Sequence, residues 1–122
     1  MKIQESGEMY LETILVLRNK IGVVRSIDVA NETGYSKPSV SRAMGILKDS
    51  GFIVIDKEGA ILLTESGEEL AKRIYERHII LTDFFVKLGV NPEVASEDAC
   101  KIEHDISEET FNKIKEFAKS NL

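Results

Sequence analysis

Glycines at positions 22, 34 and 51 cut the front of the chain into three short segments with helical apolar spacing, and behind them the spacing changes to that of β-structure. Segments this short are marginal as isolated helices, so they must pack on one another. In the first, from Glu5 to Lys20, Tyr10, Ile14 and Leu17 recur at i, i+4 and i+7, and Leu11 and Leu15 widen the stripe. In the second, Ser26 is placed to cap a helix through Glu32, with Asp28 near its start, where the helix dipole favours an anion. In the third, Ser36 is the predicted N-cap and Pro38 falls in the first turn, whose amides lack partners anyway. Val40, Ala43, Met44 and Leu47 line its inner face. Gly45, inside that helix at a cost of about 1 kcal/mol relative to alanine, predicts a close approach there.

After Gly51, two β-branched apolar runs, 52–55 and 60–63, flank Asp56-Lys57-Glu58-Gly59 and predict a short hairpin. Thr64 then caps the longest helix, expected to reach about Leu88. Leu70, Ile74, Leu81, Phe85 and Leu88 hold one face of it, while Ile80 and Phe84 make a second apolar side that calls for a partner chain. Asn91-Pro92 opens a helix to about His104, and Ser107-Glu108-Glu109 opens a last one with Phe111, Ile114 and Phe117 inward. The expected fold is mainly α with a small β-hairpin: a winged helix-turn-helix domain over 1–70, followed by a helical dimerisation and metal-binding domain over 71–122.

A net charge of −5 argues against a nucleic-acid partner only until its distribution is read. From Arg18 to Lys48 the local balance is +4, and from Pro92 onward it is −4; local field, not the total, governs contact with phosphate. Ala30 suits the close approach of two helices, Gly34 the left-handed turn between them, and Val40 the shared core. Lys37, Ser39 and Arg42 are thereby left on the outer side of the third segment, near its start, where a recognition helix meets DNA. Arg42 is the expected base reader. Arg25, Ser26, Ser36, Lys37, Pro38 and Ser39 complete the candidate surface, with Ser36 and Lys37 as phosphate contacts. Taken singly, each could be an ordinary solvated side chain; the Ala-Gly-Val spacing and the hairpin favour DNA.

Other classes are excluded more directly. No apolar run approaches a membrane span and the first residues have no signal core, so a cytoplasmic protein is expected. The single cysteine, Cys100, excludes an internal disulfide. No Ser/His/Asp set, phosphate-cradling glycine loop or HExxH occurs, and 122 residues leave little room for a substrate cleft, so an enzyme, including a metal-dependent hydrolase, is not expected.

Cys100, Glu103 and His104 sit at i, i+3 and i+4, placing a thiolate, a carboxylate and an imidazole on one helical face. All three are competent metal donors, although a lone cysteine is most often a small buried hydrophobe and a lone histidine a hydrogen-bonded one. That stretch, Asp98-Ala99-Cys100-Lys101-Ile102-Glu103-His104, together with Glu8-Met9-Tyr10-Leu11-Glu12, Leu63-Thr64-Glu65-Ser66-Gly67 and Arg77-His78, resembles the diphtheria-toxin-repressor and manganese-regulator family. The resemblance implies a metal-activated, homodimeric repressor of metal-uptake genes that binds double-stranded palindromic operator DNA, with a divalent metal as cofactor. It matches Met9, Cys100, Glu103 and His104 to the primary site of the iron-responsive branch, and Glu12 and His78 to ligands of the manganese-responsive branch. Met9 and Glu12, three apart on the first helix, can both point to one locus.

Sulfur donors make this set softer than an all-oxygen site, so Fe2+ is expected first and Mn2+ second. The chain departs from the iron branch at Thr82 and Ser96, where ancillary acidic and histidine ligands would stand; that ancillary site is not expected in this form, with Asp83 the nearest remaining acid. One helix follows the metal motif, so the SH3-like domain of many iron-type members is not expected either. The alternatives are a winged-helix regulator sensing redox state through Cys100, and a purely structural metal held by His78, Cys100 and His104.

Overall fold

The computed structural model describes residues 5–120. Contacts divide the chain into two units, Met1–Lys72 and Arg73–Leu122. In chain order the elements are α1 (Glu5–Ile21), α2 (Ser26–Thr33), α3 (Lys37–Asp49), β1 (Ile53–Ile55), β2 (Ile61–Leu63), α4 (Glu65–Leu88), α5 (Pro92–Ile102) and α6 (Glu108–Ser120). No helix among the described residues is long and apolar enough to cross a membrane. The architecture is the expected one, mainly helical with one two-stranded hairpin, and its helix boundaries shift in places that matter.

The first unit is built on the predicted apolar stripes. Leu11, Ile14, Val24, Val29, Val40, Met44, Leu47 and Ile53 are all fully buried, and each such side chain contributes roughly 1.5–3 kcal/mol relative to exposure. Ser26 is not the cap of α2 but its first residue. The cap is Arg25, in extended conformation, whose backbone N–H donates to the Asp28 carboxylate at 2.9 Å. Gly34 closes α2 with φ 77° and donates to Ala30 O, a left-handed conformation that disfavours any side chain. Ser36 caps α3, its Oγ accepting from Ser39 N at 3.3 Å. Tyr35, in the turn between the two helices, packs edge-on against buried Tyr10 of α1, with ring centroids 6.2 Å apart.

The hairpin is antiparallel, pairing Ile53 with Leu63, Val54 with Leu62 and Ile55 with Ile61. Its turn is held by Asp56, whose Oδ1 accepts from both Glu58 N and Ala60 N at 2.9 Å. The expected close approach at Gly45 is absent: a Cβ there would meet open space. It occurs instead at Gly67, where a Cβ would overlap the carbonyl of Phe52. The same junction is tied by Thr64, which caps α4 through Gly67 N at 3.1 Å and donates its hydroxyl to Gly51 O at 2.7 Å. Gly67 therefore lets the start of α4 rest against the backbone entering β1.

In the second unit Leu81, Ala99 and Phe111 form the buried centre, with Ile80, Phe85, Ile102, Ile106 and Ile114 packed around it. Asn91 caps α5 as expected, accepting from Glu93 N and Val94 N. Two residues expected inward are not: Leu88 is exposed at the end of α4, and Phe117 is largely exposed although its ring meets Phe84 edge-on at 6.1 Å. Ala118 takes the inward place on α6, because the helical phase fixed by Phe111 carries position 118, seven residues on, back to the core side.

Two stability measurements follow. Gly67→Ala should cost about 1–3 kcal/mol in urea unfolding, since the added methyl meets backbone that cannot rotate away, whereas Gly45→Ala should be neutral or stabilising. In addition, Glu68 is bonded by Arg18 at 2.6 Å and by Lys72 at 2.9 Å, and these cations, Arg18 foremost, lower its carboxyl from 4.5 to about 2. The contribution of the cluster is present above the ordinary carboxylate value and is lost as pH falls toward the lowered one. Wild type should therefore lose more stability than Glu68→Gln when urea midpoints are compared at about pH 5 and about pH 2.5.

Candidate metal centre and nucleic-acid interface

Three donor atoms from α4, α5 and the residue that caps α5 converge in the second unit. His78 Nδ1 lies 3.0 Å from Glu103 Oε2 and 3.8 Å from Cys100 Sγ, and one donor atom from each of the three residues falls within 4.8 Å of the others. The thiol and the carboxylate approach the same ring nitrogen. A nucleophile relay needs its acid and its nucleophile on opposite nitrogens, so this is a convergent donor set and not a catalytic Cys-His-Glu triad.

The local backbone explains the convergence. α5 ends at Ile102, two residues before the expected end, and the chain tightens there into a turn in which Asp105 N bonds the Ile102 carbonyl, three residues back. Glu103 caps the helix with helical dihedrals and still donates to Ala99 O at 2.9 Å, so Cys100 and Glu103 keep their i, i+3 relation. His104 is not on that helical face. It comes from the turn, and its Nε2 stands 3.4 Å from the second carboxylate oxygen, Glu103 Oε1.

Glu103 is fully buried, the one charged residue that is so among the described residues, and its Oε1 has no hydrogen-bond partner. A buried carboxylate oxygen without a donor is costly, and a cation held by a thiolate, an imidazole and that carboxylate would remove the cost. The residues therefore fit a divalent metal of mixed S/N/O preference. Cys100 is exposed, contrary to the usual fate of a lone cysteine, and so is accessible to an incoming ion.

The remaining candidate donors are placed as follows. Met9 and Glu12 lie on α1 in the first unit, both half-buried, with Thr13 Oγ1 3.6 Å from Met9 Sδ. Thr82 donates its hydroxyl to the His78 carbonyl at 2.7 Å, and Asp83 pairs with Lys87 at 2.9 Å, so neither is turned to His78's ring. Ser96, read from the sequence only as a departure, has its Oγ 3.4 Å from His78 Nε2. Arg77 was likewise legible only as the neighbour of His78, yet it bonds the turn carrying Glu103.

In the first unit, α2, the Gly34 turn and α3 present a charged outer face. Lys37, Pro38, Ser39 and Arg42 are exposed on α3 while Val40, Met44 and Leu47 are buried on its other side. Ser36 is also exposed, its hydroxyl donating to Ser39 Oγ at 2.8 Å. Arg25 is exposed but tethered, its Nε donating to Glu58 O in the hairpin turn at 3.2 Å, which fixes that side chain near the wing. Ser26, half-buried at the start of α2, is the least accessible of the set.

Residues 2–61 match the sequence model described as iron dependent repressor, N-terminal DNA binding domain, and residues 64–120 match that of the iron dependent repressor metal binding and dimerisation domain. Over 112 residues the chain is 37% identical to the transcriptional regulator MntR of Escherichia coli O6:H1, covering 92% of this chain and 72% of that protein. It is 31% identical to the HTH-type transcriptional regulator MntR of Listeria monocytogenes serotype 4a, covering 89% and 77%. Among solved structures, the metal-dependent transcriptional regulator MtsR superposes with TM-score 0.86 at 25% identity, over 93% of this chain and 53% of that one. The manganese regulator SloR gives 0.83 at 25%, over 98% and 55%. The chain thus spans about half the length of these two structures.

Titration with Co2+ should give a thiolate-to-metal charge-transfer band that Cys100→Ser removes, and Glu103→Gln should weaken binding by about tenfold or more. A band that survives in Cys100→Ser would exclude the thiol as a donor.

Proposed function

The chain belongs to the iron dependent repressor family, the one that contains the diphtheria-toxin repressor and the manganese regulators, and on that premise we propose that it is a metal-activated, homodimeric DNA-binding repressor of metal-uptake genes acting in the cytoplasm. The observation that carries this reading is the convergence of Cys100, His78 and buried Glu103, with one carboxylate oxygen left without a donor. Cys100, Glu103 and His78 are the proposed metal-holding residues, with His104 beside them. The family resemblance adds Met9 and Glu12 on α1.

A divalent cation, when bound, supplies the positive charge that the buried carboxylate lacks. The protein's own residues do the rest. His78 and Glu103 draw α4 and the α5 turn to a common point. Arg42 reads base edges from the exposed face of α3, and Lys37, Ser36 and Ser39 place its N-terminal turn against phosphate. Arg25, Ser26 and Pro38 complete the surface, Arg25 at the wing. A two-fold dimer reads a palindrome only when its two readers match the groove spacing, so a ligand that favours that spacing gains a coupling of order 1–3 kcal/mol, and by linkage DNA tightens metal binding equally.

Iron(II) is the metal that the donor chemistry supports, because a thiolate is a softer ligand than manganese prefers. Manganese(II) is the second reading, supported by the names of the MntR relatives and of the manganese regulator SloR.

The test uses a palindromic duplex selected from a random pool, under anaerobic conditions at fixed salt because phosphate contacts make affinity salt-dependent. Operator affinity should rise roughly 5- to 150-fold with metal, and the metal of a Mn2+, Fe2+, Co2+ and Zn2+ panel that achieves this within its cellular range is the cognate one. Arg42→Ala should lower DNA affinity while leaving Co2+ uptake unchanged. Equal affinity with metal and with chelator would sink the switch, and control by oxidant instead would assign it to Cys100 as a redox sensor.

A further inference from the structure

Arg77 precedes His78 on α4, is half-buried, and turns its guanidinium to bond within the second unit. Nη1 donates to Glu103 O at 3.0 Å and to Ile106 O at 2.8 Å, and the guanidinium carbon lies 5.3 Å from the centre of the buried Phe111 ring on α6. One side chain thus joins three elements of the second unit: α4, the turn after α5, and α6. The turn needs such a partner. Helix ends leave carbonyls without intrahelical donors, and between Ile102 and Glu108 there is no regular structure to supply them. A guanidinium meets this need because its charge is permanent, it has several donors in a plane, and its face packs on an aromatic ring. Its Nε is buried with no hydrogen-bond partner, a cost that an arginine serving only solubility would not carry.

The same residue, Glu103, is held from two sides by neighbours in sequence. Arg77 bonds its main-chain carbonyl and His78 meets its carboxylate. Successive helical side chains diverge by about 100°, so the pair grips the backbone and the side chain of Glu103 from different directions.

We infer that Arg77 is the positioning residue of the metal centre, holding the turn from Glu103 to Ile106 so that the Glu103 carboxylate faces the His78 ring and the Cys100 thiol. This rests on the metal reading above, and it assigns to Arg77 no contact with the ion.

The test compares the 122-residue wild-type chain with Arg77→Met, Arg77→Lys and, as a charge control, Arg73→Met, which removes an exposed arginine one turn earlier on α4. Two quantities are read: Co2+ affinity with its thiolate charge-transfer band, and amide hydrogen exchange at residues 103–107 in metal-free protein. Arg77→Met should lose about tenfold or more in Co2+ affinity with a shifted band, and should exchange faster in the turn. Arg77→Lys should be intermediate, since an ammonium keeps the charge without the planar fork, and Arg73→Met should match wild type. If Arg77→Met does not fold, Arg77→Lys carries the comparison. A merely structural role would lower the melting temperature yet leave the band and affinity of the folded protein unchanged, and that result overturns the inference. Wild type that takes up no Co2+ overturns the metal reading and this inference with it.

Discussion

A carboxylate removed from water costs several kcal/mol unless charge and hydrogen bonds surround it, and Glu103 is fully removed. Much of the second unit is arranged about that group. His78 takes one oxygen and His104 flanks the other. Arg77 secures the main chain, and the apolar centre of Leu81, Ala99 and Phe111 holds α4, α5 and α6 in register. One oxygen is left without a donor. A bound cation would supply what that oxygen lacks, and this connects the packing of the unit to its proposed chemistry.

The first unit solves a different problem: presenting charge on a small scaffold without weakening it. α3 does so by strict division of its faces, Val40, Met44 and Leu47 inside and Lys37, Ser39 and Arg42 outside. Its start is defined by the Ser36 cap, and the Tyr35–Tyr10 contact joins the preceding turn to α1. The hairpin is anchored at its exit by Thr64 and Gly67 and at its turn by Arg25. Arg25 therefore joins the wing to the start of α2 while still belonging to the charged face.

Where expectation and structure differ, the cause is tertiary for the two glycines and for the apolar residues at the helix ends, and local for the cap of α2. Gly45 reads as a contact glycine because its cost in a helix is intrinsic, yet the space beside it is open; what a neighbouring segment does at that point has no local signature. Gly67 lies in an ordinary helical stretch, and only the path of Phe52 makes it obligatory. Leu88 and Phe117 keep helical spacing but fall beyond the region that the second unit encloses. Ser26 and Arg25 exchange roles because the Asp28 side chain, three residues along, accepts from the Arg25 amide and so selects the cap.

Legible in the sequence were properties that depend on near neighbours: the helical stripes, the Ser36 and Asn91 caps, the left-handed Gly34, the hairpin, and the i, i+3 pairing of Cys100 with Glu103. Those follow from backbone geometry over a few residues. The tertiary structure alone decided that α5 stops at Ile102, that His104 approaches from a turn, that His78 presents the nitrogen shared by thiol and carboxylate, and that Arg77 grips the carbonyls beyond. The contacts of His78 with Cys100 and Glu103, and of Arg77 with the Glu103 carbonyl, join residues more than twenty positions apart, and they depend on how the helices of the second unit pack, which no local periodicity encodes.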